Sequence, residues 1–216
     1  MRSSIHRLVP LIGAAALALT ACSTNTPGNA QPSSATASST TSKASTPGTS
    51  DQIPGPGVPK VTDPIDFTPH LRTPCDALTR EQVTDLLGEN ASAKTDLAAT
   101  SGPTCTWRPP GTARTDVSIN FFTAYPEGLT RIYRLRNTEY KFFMEVPAIG
   151  GHPAVAYGFA DKRNTTGECL VAVGTSDTSV LNAGITLSDA NIGKRDPCEI
   201  AQKVAGEALA NIKGGR

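Results

Sequence analysis

Residues 195–203 read RDPCEIAQK, and residues 72–80 read RTPCDALTR. Each stretch sets a proline before a cysteine, an acidic residue after it, and then a run of helical character. A cysteine at a helix N-terminus has two physical readings. It can be a reactive thiol, because the helix dipole favours the thiolate, or it can be one end of a disulfide. The choice decides whether these two segments are chemistry or scaffold.

The compartment bears on that choice. The chain starts MRSSIHRLVPLIGAAALALTAC: Arg2, His6 and Arg7 make a basic start, and an apolar run follows from Leu8 to Ala21, closing on small residues. This is the layout of a secretory signal, too short for a membrane span of about 20 apolar residues. Leu19-Thr20-Ala21-Cys22 has the form of a bacterial lipobox, which makes Cys22 the lipidated first residue of the mature chain and residues 1–21 a cleaved signal peptide. Each buried acyl CH₂ contributes about 0.8 kcal/mol, so two or three chains hold a protein on a bilayer without spanning it. The expected location is the outer face of the cell membrane. Loss of Arg2 and Arg7 leaves 18 of the 20 basic residues against 19 acidic ones. A near-neutral chain is not a nucleic-acid binder, which would carry a basic excess on one face.

Of the five cysteines, four remain beyond Cys22: Cys75, Cys105, Cys169 and Cys198. An even number in an exported chain reads as two disulfides, with three connectivities open. No C-x-x-C pair and no zinc-type spacing of Cys and His occurs, so neither a redox motif nor a metal or cofactor is expected.

Over half of Ser23 to Ser50 is serine or threonine, DQIPGPGVPKVTDPID follows, and no aromatic residue precedes Phe67. Such a segment cannot offset its ordering entropy by burial. Residues 22–66 are therefore expected as a lipidated, disordered linker, a coil of about 45 residues spanning roughly 40 Å. Residues 67–216 then form one globular domain. In TREQVTDLLGEN, Thr79 is the expected N-cap, with Gln82 completing a capping box, Val83, Leu86 and Leu87 apolar, and Gly88 a stop. TCTWR and DVSINFFTAY alternate as strands around an Arg-Pro-Pro-Gly-Thr turn. GLTRIYRLRN has helical spacing; YKFFMEV, HPAVAYGFA, ECLVAVGTS and SVLNAGITLS read as strands. DPCEIAQKVAGEALANIK closes the chain as a helix with Pro197 in its first turn and a stripe of Ile200, Val204, Ala208 and Ile212. The order predicts an α+β domain with a mainly antiparallel sheet packed with helices.

In this order each helix-start cysteine has a strand cysteine about 30 residues away, and sequential pairing, Cys75 with Cys105 and Cys169 with Cys198, would contribute about 3 to 4 kcal/mol per loop. Arg131 and Arg134 are expected on the outer face of the RIYRLR helix with Lys141 nearby. Such a cluster could attract anionic headgroups or an acidic wall polymer; a solvated helix face is the ordinary alternative. His70 and His152 sit beside prolines in turn-like contexts. With no G-x-S-x-G elbow, no phosphate-binding loop and no selected carboxylate pair, no catalytic residue is assigned. Trp107 is expected as core beside a disulfide.

The lipobox with its tether, Pro74-Cys75-Asp76-Ala77-Leu78-Thr79 leading to Leu86-Leu87-Gly88, Cys105-Thr106-Trp107, the Ile149-to-Val155 turn and strand, Cys169, and Asp196-Pro197-Cys198-Glu199-Ile200-Ala201 occur in an order that resembles the actinobacterial lipoproteins of domain of unknown function 3558. The resemblance implies an exported, lipid-anchored domain with two disulfides and carries no activity. Three functions are expected in order: a non-enzymatic ligand-binding or sensor-like module, with a groove between helix and sheet; an accessory subunit docking on another membrane protein; and, more weakly, a hydrolase of wall polymers. The partners expected are the membrane, through the anchor, and an envelope protein, lipid or wall polymer.

Overall fold

A computed structural model describes residues 52–111 and 114–215 of the chain. Residues 1–51, including the expected signal peptide and Cys22, lie outside the described residues. The described elements are β1 (Ser92–Asp96), β2 (Thr104–Arg108), β3 (Asp116–Phe122), β4 (Phe142–Ile149), β5 (His152–Gly158), β6 (Glu168–Ser176) and β7 (Ser179–Thr186), with α1 (Arg80–Leu87), α2 (Leu129–Leu135) and α3 (Pro197–Lys213). The strands form one antiparallel sheet in the order β1-β2-β3-β7-β6-β5-β4. Two meanders, β1 to β3 and β4 to β7, are joined where β3 pairs β7 from Asp116 opposite Thr186 to Phe122 opposite Val180. The α+β expectation holds.

Alternation decides which face each residue serves. Val117, Ile119 and Phe121 of β3, Val171 and Val173 of β6, and Leu181, Ala183 and Ile185 of β7 point to one face. There they meet Ala201, Val204, Ala205, Ala208, Leu209 and Ile212 of α3, all buried. The three alanines leave room for the helix to lie close to the sheet. The buried stripe is wider than the expected line through Ile200, which is only partly buried. On the opposite face Leu129, Ile132 and Tyr133 of α2 cover Val155, Tyr157, Ala172 and Val180. Strands β6 and β7 are thus apolar on both sides, which is why they read as unbroken apolar runs.

Local signals are realised closely. Thr79 Oγ1 accepts from the Gln82 N–H at 3.2 Å and Gln82 Oε1 accepts from the Thr79 N–H at 2.7 Å, the complete capping box. The β4–β5 hairpin turns on Gly150 and Gly151, at φ +58° and +86°. A two-residue turn of this kind needs both residues left-handed, which glycine adopts without strain. Asp196 caps α3 by accepting from the Cys198 N–H at 2.7 Å.

Cys75 lies in a helical segment of its own: Pro74–Ala77 is a 3-10 helix, Leu78 is extended, and α1 starts at Arg80 after the Thr79 cap, as expected. Strand β1 was not foreseen, because all five of its residues are exposed and an edge strand held by backbone pairing leaves no apolar alternation to read. The linker does not run to residue 66. From Gly55 the chain is a strap on the domain: the Gly55 N–H donates to Thr130 Oγ1 at 3.0 Å, that of Val61 to Asp177 Oδ1 at 2.8 Å and that of Ile65 to the Thr175 carbonyl at 2.8 Å. Val61 is buried, and Val58 packs against the α2 cluster. Backbone pairing and two valines order a stretch that composition alone marks as coil.

Leu209 is 1% exposed, so Leu209→Ala should cost about 2 to 5 kcal/mol. Joint replacement of Cys169 and Cys198 by alanine should cost about 3 kcal/mol. Urea unfolding followed by circular dichroism measures both.

Candidate functional site

The two sulfur pairs are scaffold. Cys75 joins Cys105 and Cys169 joins Cys198, with Cα atoms 5.0 and 5.1 Å apart, so sequential pairing is the one realised. Each bond ties a segment before or at a helix start to a strand, and Cys105, Cys169 and Cys198 are buried. The thiols are consumed. Trp107, 4% exposed, belongs to the same core as Cys105.

His152, 1% exposed, lies in the interior with Nδ1 3.1 Å from the Gly174 carbonyl oxygen. His70, 5% exposed, stacks on Phe121 with centroids 6.0 Å apart. Both are buried pieces of structure near turns. Arg131 and Arg134 of α2 converge on one carboxylate: Glu127 is 3.5 Å from Arg131 Nη1 and is hydrogen-bonded by Arg134 Nη2. Arg131 also lies 3.7 Å over the Tyr125 ring. Lys141 Nζ donates to the Asn137 carbonyl at 3.1 Å, apart from that pair. Sequence reasoning missed Glu127, four residues before Arg131, whose charge offsets one of the two arginines.

Among the described residues, several concave regions adjoin the sheet, and two bear on ligand binding. One is the expected groove between helix and sheet, about 340 Å³, between α1 and β1–β2. Its wall includes Leu78, Val83, Thr84, Ala93 and Trp107, and its one ionisable side chain is Arg80. The other is a cleft of about 150 Å³ on the sheet face opposite α3. Its floor is Gly184 of β7 between Ser118 of β3 and Leu170 of β6. A Cβ at Gly184 would stand 2.5 Å from Ser118 Oγ and 2.9 Å from a Leu170 methyl, so the glycine is what lets these two side chains close in over the floor.

The cleft gathers what the groove lacks. Phe159, 69% exposed, and Leu170, 37% exposed, both line it, although large exposed apolar side chains are few among the described residues. Phe159 leans on Tyr140 with centroids 5.4 Å apart, and Tyr140 meets Tyr157 edge-on at 4.8 Å. The Tyr157 hydroxyl donates to Asn182 Oδ1 at 3.1 Å, and burial raises its pKa, so the phenol stays protonated. At the other wall, Asp116 lies 3.5 Å from Arg108 and accepts from the Thr186 hydroxyl at 3.4 Å. Glu168 takes Lys162 at 2.8 Å. Burial raises the Asp116 pKa and outweighs Arg108 and Thr186, and the nearby Glu168 charge adds to the rise. For Glu168, burial also pulls upward, but hydrogen bonds from Lys162 and Thr166 and the charges of Lys162 and Arg114 leave it lowered. Two carboxylates therefore line one cleft with their pKa values shifted in opposite directions.

None of these cleft residues was singled out from the sequence. The signal available was slight: Gly184 interrupting an apolar strand, and Phe159 at a strand end.

With the geometry described, the sequence profile of the family described as "Protein of unknown function (DUF3558)" matches residues 17–211. The chain belongs to this family. The DUF3558 match starts at residue 17 and takes in the whole sheet and α3 as far as Asn211, and its description names no activity. No curated protein and no solved structure matches the chain. Among the described residues of this DUF3558 protein, no group of three or more His, Cys, Asp or Glu could hold a metal ion, and no helix is long and apolar enough to cross a membrane.

Carboxyl NMR should separate the acidic groups. Glu127 should titrate below 4.5, chiefly through its hydrogen bond from Arg134, and Arg134→Ala should move it back up. Its contribution to stability is present above 4.5 and lost as pH falls through its folded pKa. Asp116 has the opposite sign: titrating above 3.8, it favours folding below that pH, and this contribution is lost as pH rises through its folded pKa.

Proposed function

We propose that this DUF3558 protein is an exported lipoprotein, anchored through Cys22 to the outer face of the cell membrane, whose domain binds a ligand without catalysis. The leader layout and the lipobox support the anchor. The observation that carries the binding reading is the open cleft over Gly184, where an exposed aromatic ring, an exposed leucine and two ion-paired carboxylates surround a floor without a side chain. Ligand sites are concave, largely apolar and furnished with a few convergent polar groups. Here the sheet supplies the rigid base.

The strap shortens the tether. With ordered chain from Gly55, about 30 residues separate the expected anchor at Cys22 from the domain.

Docking on another membrane protein is the second reading, supported by the same exposed Phe159 and Leu170. A hydrolase built on His152 has no supporting geometry, since that ring is 1% exposed. Mass spectrometry of the mature protein should show an acylated Cys22 N-terminus, and Cys22→Ser should release the chain from membranes; cleavage elsewhere removes the anchor. A photo-crosslinking residue at position 170 in intact cells should give adducts of small mass. Protein-sized adducts at that position would transfer support to the docking reading.

A further inference from the structure

Resting on the reading of the cleft as a binding site, we infer that its ligand is a neutral sugar ring, taken as one residue of a larger saccharide. The size, the charge state and the distribution of apolar surface all select this class.

At about 150 Å³ the cleft is below the roughly 300 to 1,000 Å³ of sites that enclose a whole drug-sized molecule. It fits one ring, with the remainder of the ligand outside. The charges are compensated in place: Asp116 has Arg108 at 3.5 Å and Glu168 has Lys162 at 2.8 Å. A cationic or anionic ligand would have to displace a partner from one of these pairs. A hydroxyl does not, because an ion-paired carboxylate keeps lone pairs free to accept, and charge-assisted hydrogen bonds are the stronger ones. Ser118 and Thr186 add hydroxyls at the same wall. An acyl chain would cover these groups without bonding them, at a cost of about 1 to 3 kcal/mol for each one left unsatisfied.

The opposite wall is apolar and aromatic. Phe159 rests one side on Tyr140 and remains 69% exposed, and Leu170 stands near the glycine floor. A pyranose or furanose has this same two-sided character, with C–H groups on its faces and hydroxyls around its edge. Its face covers Phe159 while its edge reaches Asp116 and Glu168. At Gly184 the Ser118 hydroxyl and a Leu170 methyl close in over the glycine and form the surface on which the ring rests.

The test is an NMR titration of the full mature chain carrying Cys22→Ser. The probes are glucose, galactose, mannose and N-acetylglucosamine, with glucuronate and glucose 6-phosphate as charged comparators and octanoate as the apolar one. At least one neutral sugar should shift the amide signals of Gly184, Leu170 and Phe159 at millimolar concentration. Phe159→Ala, an exposed change that leaves the core intact, should weaken that binding about tenfold. Gly184→Val should abolish it, and its spectrum reports whether the fold persists. If only the charged or apolar comparators move the cleft signals, the sugar class is overturned and the cleft stands as a binding site. If neutral sugars bind with unchanged affinity in Phe159→Ala, or no probe moves the cleft, the inference fails. If small-mass adducts at position 170 are also missing, the cleft reading fails with it.

Discussion

The contact on which the rest of the domain depends is that of α3 against the centre of the sheet. The helix contributes Ala201, Val204, Ala205 and Ala208 to a surface fully excluded from water, and it meets β3, β6 and β7 together. Because β3 and β7 belong to different meanders, their common apolar face is what lets one helix hold both halves of the chain. Burial of apolar surface is the largest favourable term in folding, and here it also sets topology. The Cys169–Cys198 bond fixes the start of the helix to β6, and Asn211 near its end donates to the Ala77 carbonyl at 3.0 Å and to Gln82 Oε1 at 2.7 Å. The second disulfide joins that same N-terminal segment, through Cys75, to β2. The two proline-cysteine segments are thereby coupled through α3.

The two faces of the sheet are treated differently, and function follows the difference. The α3 face is the more fully covered, with Phe67 and Phe121 in contact at 5.1 Å between centroids and Trp107 4% exposed. On the other face α2 and the strap cover the half near Gly174, where Leu129 and Val61 approach within 3.1 Å of a Cβ built there. At Gly184 it is the flanking strand side chains, Ser118 and Leu170, that come within 2.5 and 2.9 Å of such a Cβ. A helix of seven residues is about 10 Å long, too short to shelter a seven-stranded sheet. The cleft is the part of the face that it leaves open.

Most of the elements were legible because their signals are local. The Thr79–Gln82 box, Pro197 at a helix start, Gly150-Gly151 between two strands, and the alternation of Val117, Ile119 and Phe121 each follow from backbone chemistry within a few residues. Strand β1 was illegible because its stability comes from a ladder to β2 and not from side-chain burial. The strap was illegible for a related reason. Its partners, Thr130, Thr175 and Asp177, stand far along the chain, and its composition is that of a linker.

The sequence by itself determined an even set of cysteines beyond Cys22, the α+β order and the starts of α1, α2 and α3. Those properties are encoded in composition, short-range periodicity and capping, which act over a handful of residues. Only the tertiary structure decided what the charged and exposed residues are for. Glu127 silences part of the arginine cluster, Arg108 and Lys162 compensate Asp116 and Glu168, and Phe159 and Gly184 come to line one cleft. Three of the cleft's strands, β3, β6 and β7, are separated by up to 70 residues in the chain. A site assembled across such a distance exists only after α3 has brought the two meanders together.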